Sequence, residues 1–310
     1  MNYKTRNLLL LFLTAAVWGM GFVAQSAGGD AIGPFAYNCI RNFIGSAALL
    51  PLIFFRDKTG ASKKPQTHEE KRNLFKAGVL CGLALFVASS FQQVGITMGT
   101  PAGKAGFLTA CYILWVPILG VFLRRKIKLN IWIGTVVALC GLYLLCLTER
   151  LTFQVSDLLL MACAICFAIQ IMIVDKYSPI VDGVRLASLQ FLWTGIFSVI
   201  PGVVFDIGFD GPGAYVWFAN LLTWDAWIAI LYGSLISSGV GYTLQIIAQN
   251  GLHPALASMA MSFESVFSVI FGFLILKENL SVRELLGCAV MFVAIIIAQL
   301  EPMKTKKSEG

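Results

Sequence analysis

Residues 254–276 read PALASMAMSFESVFSVIFGFLIL, an apolar run that contains one ionisable side chain, Glu264. About 20 consecutive apolar residues are enough for a helix to cross the hydrocarbon core of a bilayer. An earlier run, residues 101–123, reads PAGKAGFLTACYILWVPILGVFL and begins with the same Pro-Ala pair. Both stretches therefore predict transmembrane helices, and each holds one charged group, Lys104 or Glu264.

The whole chain has the composition of a membrane protein. Of its 310 residues, 58% are hydrophobic and 13% are charged, whereas soluble domains have about 45–50% apolar and about 25% charged residues. The predicted fold class is an all-α integral membrane protein with ten transmembrane helices. The ten predicted spans are 8–27, 34–55, 74–96, 101–123, 130–147, 156–174, 184–205, 226–248, 254–276 and 282–300.

The basic residues predict how the chain is oriented. The net charge is +7, and eighteen of the 23 Lys and Arg residues lie in segments 1–7, 56–76, 124–128, 176–185 and 304–307. Basic residues between apolar runs mark cytoplasmic loops, so we expect no nucleic-acid partner. The pattern predicts a multi-pass protein of the cell (inner) membrane with both termini in the cytoplasm.

The two halves of the chain resemble each other. A shift of 153 residues places Pro101-Ala102 on Pro254-Ala255 and Gly134 on Gly287, and a shift of 149 places Arg41 on Gln190. This predicts a first five-helix repeat at 1–150, a second at 151–302 and a basic cytoplasmic tail at 303–310. Five is an odd number, so the second repeat would be inserted upside down, as in many secondary transporters.

Three ionisable residues inside predicted spans stand out: Arg41, Lys104 and Glu264. A charge at the centre of a transmembrane helix costs about 2.5–3.5 kcal/mol on insertion scales, so each should face protein or a hydrated cavity. Glu264 is interpreted either as a proton carrier or counter-charge for a solute, or as part of a structural ion pair or hydrogen bond. Arg41 could instead join helices, and Lys104 could extend to the membrane surface.

Polar or aromatic stripes on several predicted spans indicate a shared interior that differs from lipid. Aromatic walls with a few amides suit a small organic solute. The predicted substrate-binding residues are Trp18, Gln25, Arg41, Gln92, Gln93, Lys104, Trp115, Gln170, Tyr242 and Gln245, with Glu264 in the coupling role.

Several chemistries have no motif in the sequence. It contains no phosphate-binding Gly loop followed by Lys-Ser/Thr and no H-E-x-x-H zinc motif. We therefore expect no enzyme, no cofactor and no metal site. The predicted function is a secondary transporter for a small polar or amphipathic metabolite, working by alternating access in the bilayer as a monomer or homodimer. Protons are the candidate coupling ion. The alternatives left open are a ligand sensor without transport, an intramembrane enzyme and a flippase for a lipid-linked substrate.

Motifs along nearly the whole chain resemble the drug/metabolite transporter superfamily and, within it, the EamA-type transporters. In the first half these motifs are Trp18-Gly19, Arg41, residues 91–96 and 101–109, and Val116-Pro117. In the second half they are Gln190, Ala257-Ser258, Phe263-Glu264, Lys277-Glu278 and Gly287.

This resemblance implies a ten-helix inverted repeat with a central cavity built from both halves and with helices 5 and 10 at the periphery. It also implies an amino-acid-like solute and export as the direction. Two positions depart from the family's pattern. The family often has proline directly after this glutamate, whereas here Ser265 follows Glu264, so the sequence does not decide whether the helix is kinked there. Arg125 stands at the first-half position aligned with the loop glutamate Glu278.

Overall fold

A computed structural model describes residues 2–100, 102–146, 154–208, 211–276 and 281–300, and every regular element within these ranges is helical. The helices are α1 (Tyr3–Gly19), α2 (Gly21–Ile32), α3 (Pro34–Lys58), α4 (His68–Thr97), α5 (Ala102–Ala110), α6 (Tyr112–Phe122), α7 (Leu129–Cys146), α8 (Val155–Tyr177), α9 (Gly183–Pro201), α10 (Gly211–Leu221), α11 (Trp224–Leu231), α12 (Thr243–Gln249), α13 (Pro254–Met261), α14 (Glu264–Leu276) and α15 (Val282–Gln299). Two π-helical segments, Gly202–Ile207 and Tyr232–Tyr242, extend α9 and join α11 to α12.

The fold is that of a multi-pass membrane protein. Within the described ranges, eight helical stretches are long and apolar enough to cross a bilayer: Pro34–Lys58, His68–Thr97, Lys104–Phe122, Val155–Tyr177, Gly183–Ile207, Trp224–Gln249, Pro254–Phe271 and Val282–Gln299. The apolar stretch Leu129–Leu145 is shorter. The first predicted span is divided at Met20 between α1 and α2.

Both ends of the described chain lie at the same end of the molecule. Asn7 in α1 donates to the backbone oxygen of Asn250 at 3.0 Å, just after α12 ends. Asn130 at the start of α7 donates to the oxygen of Ala298 near the end of α15, at 2.7 Å. We call this the Arg56 end, because α3 also finishes there. The opposite end is the Ile32 end, where the Trp217 indole donates to the oxygen of Ile32 at 2.7 Å.

Helices α3 and α9 run in opposite directions and contact each other reciprocally at mid-length. The Ser46 hydroxyl donates to the oxygen of Ser188 at 2.9 Å, and the Cys39 thiol donates to the oxygen of Gly195 at 3.6 Å. The repeat shift of 149 carries Cys39 onto Ser188 and Ser46 onto Gly195. Each contact is therefore the repeat-related copy of the other. The two helices therefore meet about a local two-fold axis.

The same relation holds at the helix ends. At the Arg56 end, Arg185 of α9 pairs with Asp57 of α3. At the Ile32 end, Asp206 accepts from the backbone N–H of Ala36 at 2.6 Å. The shift of 149 carries Ala36 onto Arg185 and Asp57 onto Asp206, so these two contacts are also repeat-related. The sequence thus places a carboxylate at the end of each helix, and each one binds the first turn of the partner helix.

Two helical stretches are interrupted at positions that the repeat shift of 153 brings within one residue of each other. Cys111 separates α5 from α6, and Ser262-Phe263 separates α13 from α14. The second interruption forms although Ser265 replaces the family's proline. The Ser262 hydroxyl donates to the oxygen of Met259 at 2.9 Å, and such side-chain bonds to the backbone compete with the regular helix. The sequence did not decide whether the helix is interrupted here, and the structure shows that it is.

Helices α7 and α15 pack against each other and contribute no side chain to the cavity described below. Their backbones approach closely at two glycines, since a Cβ on Gly287 would lie 2.9 Å from the oxygen of Gly141. The opposite face of α15 exposes large apolar residues such as Leu286 and Phe292. This arrangement agrees with the peripheral position that the resemblance implies for helices 5 and 10.

The first turn of α13 is capped by a half-buried histidine outside the membrane-spanning segments. His253 accepts from the backbone N–H of Ala255 through Nδ1 at 3.3 Å. Burial lowers the pKa of His253 below its usual value, with nearby Arg125 and Lys128 acting in the same direction and Asp175 opposing them. The folded protein thus favours the neutral imidazole, which alone has a free lone pair to accept this bond.

We therefore expect acid to destabilise the protein through His253. A lowered pKa in the folded state gives stability that is present above the unfolded-state value of about 6.5 and is lost as the pH falls through the folded value. Asparagine caps helices without titrating. The melting midpoint in detergent should fall between about pH 7.5 and pH 5 by about 2 °C more in the wild type than in His253→Asn. Parallel pH profiles of the two proteins would contradict this prediction.

Candidate functional site

A polar cavity lies between helices that come from both halves of the chain. Its volume is about 30 Å³, which is enough for about two water molecules. Its lining comes from α1 to α6, α8, the Tyr232–Tyr242 segment and α12 to α14.

The structure brings most of the predicted site residues together in this cavity. Those that line it are Trp18, Gln25, Arg41, Gln92, Gln170, Tyr242, Gln245 and Glu264. They lie on different helices and are far apart in sequence. The polar stripes predicted from the sequence thus converge on one shared space.

Glu264 is the first residue of α14, directly after the interruption, and is 5% exposed. Its Oε1 accepts from the Tyr112 hydroxyl at 3.3 Å, and Tyr112 is the first residue after the interruption between α5 and α6. In the described part of the chain, no basic side chain lies within ion-pair distance of Glu264. Of the structural alternative predicted from the sequence, the carboxylate therefore has the hydrogen bond, to Tyr112, and not the ion pair.

Arg41 is buried in α3 with 2% of its surface exposed. Its guanidinium carbon lies 5.5 Å from the centre of the Tyr37 ring. Among the residues with described positions, none accepts a hydrogen bond from its Nε, and no carboxylate lies within ion-pair distance. A buried cation without an anion is costly, so the site is suited to an anionic group supplied by a solute.

Three buried amides form a chain that starts at the cavity. Gln245 donates through Nε2 to Oε1 of Gln170 at 3.0 Å, and Gln170 donates through Nε2 to Oε1 of Gln190 at 2.9 Å. Gln170 is thus bonded on both sides. Gln190 does not line the cavity, although it occupies the position that the repeat aligns with Arg41.

Trp18 is fixed against the π-helical segment Tyr232–Tyr242. Its indole N–H donates to the oxygen of Ser237 at 3.2 Å, and its ring centre lies 4.6 Å from that of Tyr242. A Cβ on Gly241 would lie 2.5 Å from the indole nitrogen, so only glycine leaves room there. π-Helical turns are frequent at functional sites, and this one forms a wall of the cavity.

Two predicted residues, Gln93 and Trp115, lie outside the cavity lining. Gln93 is fully buried and donates to the backbone oxygen of Gln25 in α2. Trp115 is partly buried against the apolar core. Gln93 therefore joins helices and Trp115 packs in the core. The helical periodicity of the sequence cannot distinguish these residues from residues that line the cavity, because neighbouring positions on one helix face contact different partners.

Lys104 also lies outside the cavity lining. Its Nζ pairs with Oδ2 of Asp157 at 2.7 Å, near the Ile32 end. Asp157 in the first turn of α8 also accepts from the backbone N–H of Gln154 at 2.8 Å. Lys104 thus joins the two halves of the chain. This pairing spans 53 positions, so the local sequence around Lys104 does not reveal it.

Six lining residues were not predicted: Thr109, Tyr112, Phe167, Ile171, Ser237 and Met261. The repeat offered a signal for Tyr112, because it follows Cys111, the residue that the shift of 153 aligns with Glu264. Of the family-motif residues, Lys277 and Glu278 lie outside the described residues. Arg125, which stands at the aligned position, pairs with Asp175.

Comparison with known proteins also divides the chain into two halves, because one family model matches each half. The model of the EamA-like transporter family matches residues 5–147 and again residues 154–299. A protein of Archaeoglobus fulgidus named "Uncharacterized transporter" is 27% identical over 94% of this chain and 84% of its own length. "Uncharacterized transporter YoaV" of Bacillus subtilis is 23% identical over 94% and 95%.

A solved protein structure has the same fold, with a TM-score of 0.74 over 95% of this chain and 96% of its own. Its sequence is 16% identical, so this likeness concerns the fold alone. The family model covers nearly all of the chain, in both halves, and each of the two relatives aligns with 94% of it. The chain therefore belongs to the EamA-like transporter family.

Proposed function

We propose that this protein is a secondary carrier for small zwitterionic, amino-acid-like metabolites and that it exports them by alternating access. The observation that carries the proposal is one cavity lined by a buried guanidinium, Arg41, and a buried carboxylate, Glu264. In the described structure neither group has an ion-pair partner of opposite charge. A solute that carries both charges supplies both partners.

The chemistry of each group supports this assignment. The planar guanidinium of Arg41 matches a carboxylate through two parallel hydrogen bonds. The carboxylate of Glu264 accepts either a solute ammonium group or a proton, which makes it the candidate for coupling. The aromatic rings of Trp18 and Tyr242 provide the apolar wall that small-molecule sites usually contain.

The proposed architecture is ten transmembrane helices in two inverted five-helix repeats, 1–150 and 151–302, followed by the tail 303–310. The reciprocal contacts of α3 with α9 and the repeat-related interruptions support it. Discontinuous helices near the midplane are typical of transporters built this way. We place the Arg56 end in the cytoplasm of a cell with an inner membrane, because the basic segments gather there.

The contacts between α3 and α9 indicate which parts stay fixed during transport. The Ser46 and Ser188 hydroxyl oxygens lie 3.2 Å apart in a buried position, so the side chains of cysteines at these two positions would face each other. We expect Ser46→Cys/Ser188→Cys to form a disulfide on mild oxidation, detected by peptide mass spectrometry, and to retain at least about half of the transport rate. Complete, reductant-reversible loss of transport would show instead that these helices separate in each cycle.

The proposed function is tested with purified protein in liposomes. A panel of L-amino acids, the corresponding amines and amino-acid amides is offered with and without an imposed pH gradient. We expect saturable counterflow of amino acids and little of the single-charge analogues. Binding without movement would instead identify a sensor, and no response to any zwitterion would overturn the proposal.

A further inference from the structure

The amide chain Gln245–Gln170–Gln190 contains polar atoms that the two charged groups do not explain. Gln245 lines the cavity and is 1% exposed, and its Oε1 has no hydrogen-bond partner within the described ranges. At the other end, Nε2 of Gln190 is also without a partner among described residues. A buried amide oxygen left without a donor loses the hydrogen bonds that it makes in water, so an outside group that donates to it gains affinity.

The chain has a property that a single amide lacks. Turning all three amides over exchanges every donor with every acceptor and preserves both hydrogen bonds, because each link joins one amide N–H to one amide oxygen. In one arrangement the unbonded atom of the Gln245 amide, which is buried in this form, is an oxygen, and in the other it is an N–H. The central position of Gln170 makes the three amides turn together, since one turned alone would lose its bonds.

We propose that Gln245, oriented by Gln170 and Gln190, is a specificity-determining residue that selects solutes with an uncharged hydrogen-bonding side chain, such as a hydroxyl or a primary amide. The inference rests on the proposed function, in which Arg41 and Glu264 hold the two charged groups of the solute. A hydroxyl both donates and accepts, so it fits either arrangement of the chain. A hydrocarbon side chain of the same shape leaves the Gln245 amide unpaired.

Two pairs of amino acids with nearly equal shape test this selection directly: L-threonine against L-valine, and L-asparagine against L-leucine. The measured quantity is the concentration that gives the half-maximal rise in the melting midpoint of the purified protein. We expect the polar member of each pair to act at a concentration about tenfold lower in the wild type. In Gln245→Met the ratio should fall below about threefold, mainly because the polar member binds more weakly.

Gln249→Met is the matched control. Gln249 lies one turn further along α12 and is also 1% exposed with an unbonded amide in the described structure, but it does not line the cavity. This variant should keep the tenfold ratio. If Gln245→Met does not fold, Gln245→Glu keeps an acceptor at the same place and should retain preference for the polar member.

Equal action of threonine and valine on the wild type would overturn the inference and leave the proposed function intact. An unchanged ratio in a folded Gln245→Met protein would do the same. If no amino acid raises the melting midpoint of the wild type and none is transported by it, the proposed function fails. The inference that rests on it then fails with it.

Discussion

Replacing Glu264 with glutamine is expected to abolish proton-driven accumulation while leaving exchange of the solute measurable. Glutamine has nearly the same shape and still meets the Tyr112 hydroxyl, but it does not take up or release a proton in this range. One pH unit corresponds to 1.36 kcal/mol, so one coupled proton supports about a hundredfold concentration ratio across a gradient of about two pH units. In Glu264→Gln the ratio should fall to about one.

The measurement compares accumulation under an imposed pH gradient with counterflow in its absence, in the same liposomes. Glu69→Gln is the control, because Glu69 is an exposed glutamate at the start of α4 and should accumulate solute as the wild type does. Accumulation that still follows the gradient in Glu264→Gln would remove this residue from the coupling role. Loss of counterflow as well would show that an amide cannot replace the Glu264 carboxylate in holding the solute ammonium group.

Replacing Arg41 with glutamine is expected to weaken the binding of carboxylate-bearing solutes by about a hundredfold. Removing one partner of a buried charge pair typically costs 2–5 kcal/mol, and a hundredfold change corresponds to about 2.7 kcal/mol. Arg41→Lys should lie between the two proteins, because it keeps the charge and loses the planar fork. L-alanine and L-alaninamide as competitors separate the effect on the carboxylate from effects on the rest of the solute.

The expected result is a large loss of affinity for alanine and little change for alaninamide, which has no carboxylate to lose. Lys76→Gln removes an exposed basic residue of α4 and should change neither competitor. An equal loss for both competitors would assign Arg41 to packing between helices, the other interpretation of the sequence.

The helices and the inner charges could be predicted from the sequence because lipid imposes strong costs. Arg41 and Glu264 stood out because a charge at membrane depth needs a protein or hydrated environment, and both line the cavity. Lys104 met the same criterion and forms an ion pair instead, because its partner Asp157 lies on a helix of the other half. Pairing between distant helices depends on packing, which local pattern does not encode.

The interruption before Glu264 shows a second limit of sequence reasoning. Proline was the expected signal for a break, and its absence left the position open, yet Ser262 bonds back to its own helix and the break forms. Tyr112 was missed for a related reason. A single tyrosine in an apolar run is ordinary, and only the alignment of the two interruptions places its hydroxyl beside Glu264.

The pseudo-two-fold relation between the halves holds for the framework and fails for the charges that line the cavity. Arg41 is matched by Gln190 and Glu264 by Cys111, so the inward-facing and outward-facing forms would present chemically different sites to the two compartments. Half-saturation constants measured on the two faces should therefore differ. Without a driving gradient, equilibrium forbids net pumping, so any such difference must be balanced by unequal reorientation rates of the empty carrier. A carrier of this kind moves solute preferentially one way only while a gradient is maintained.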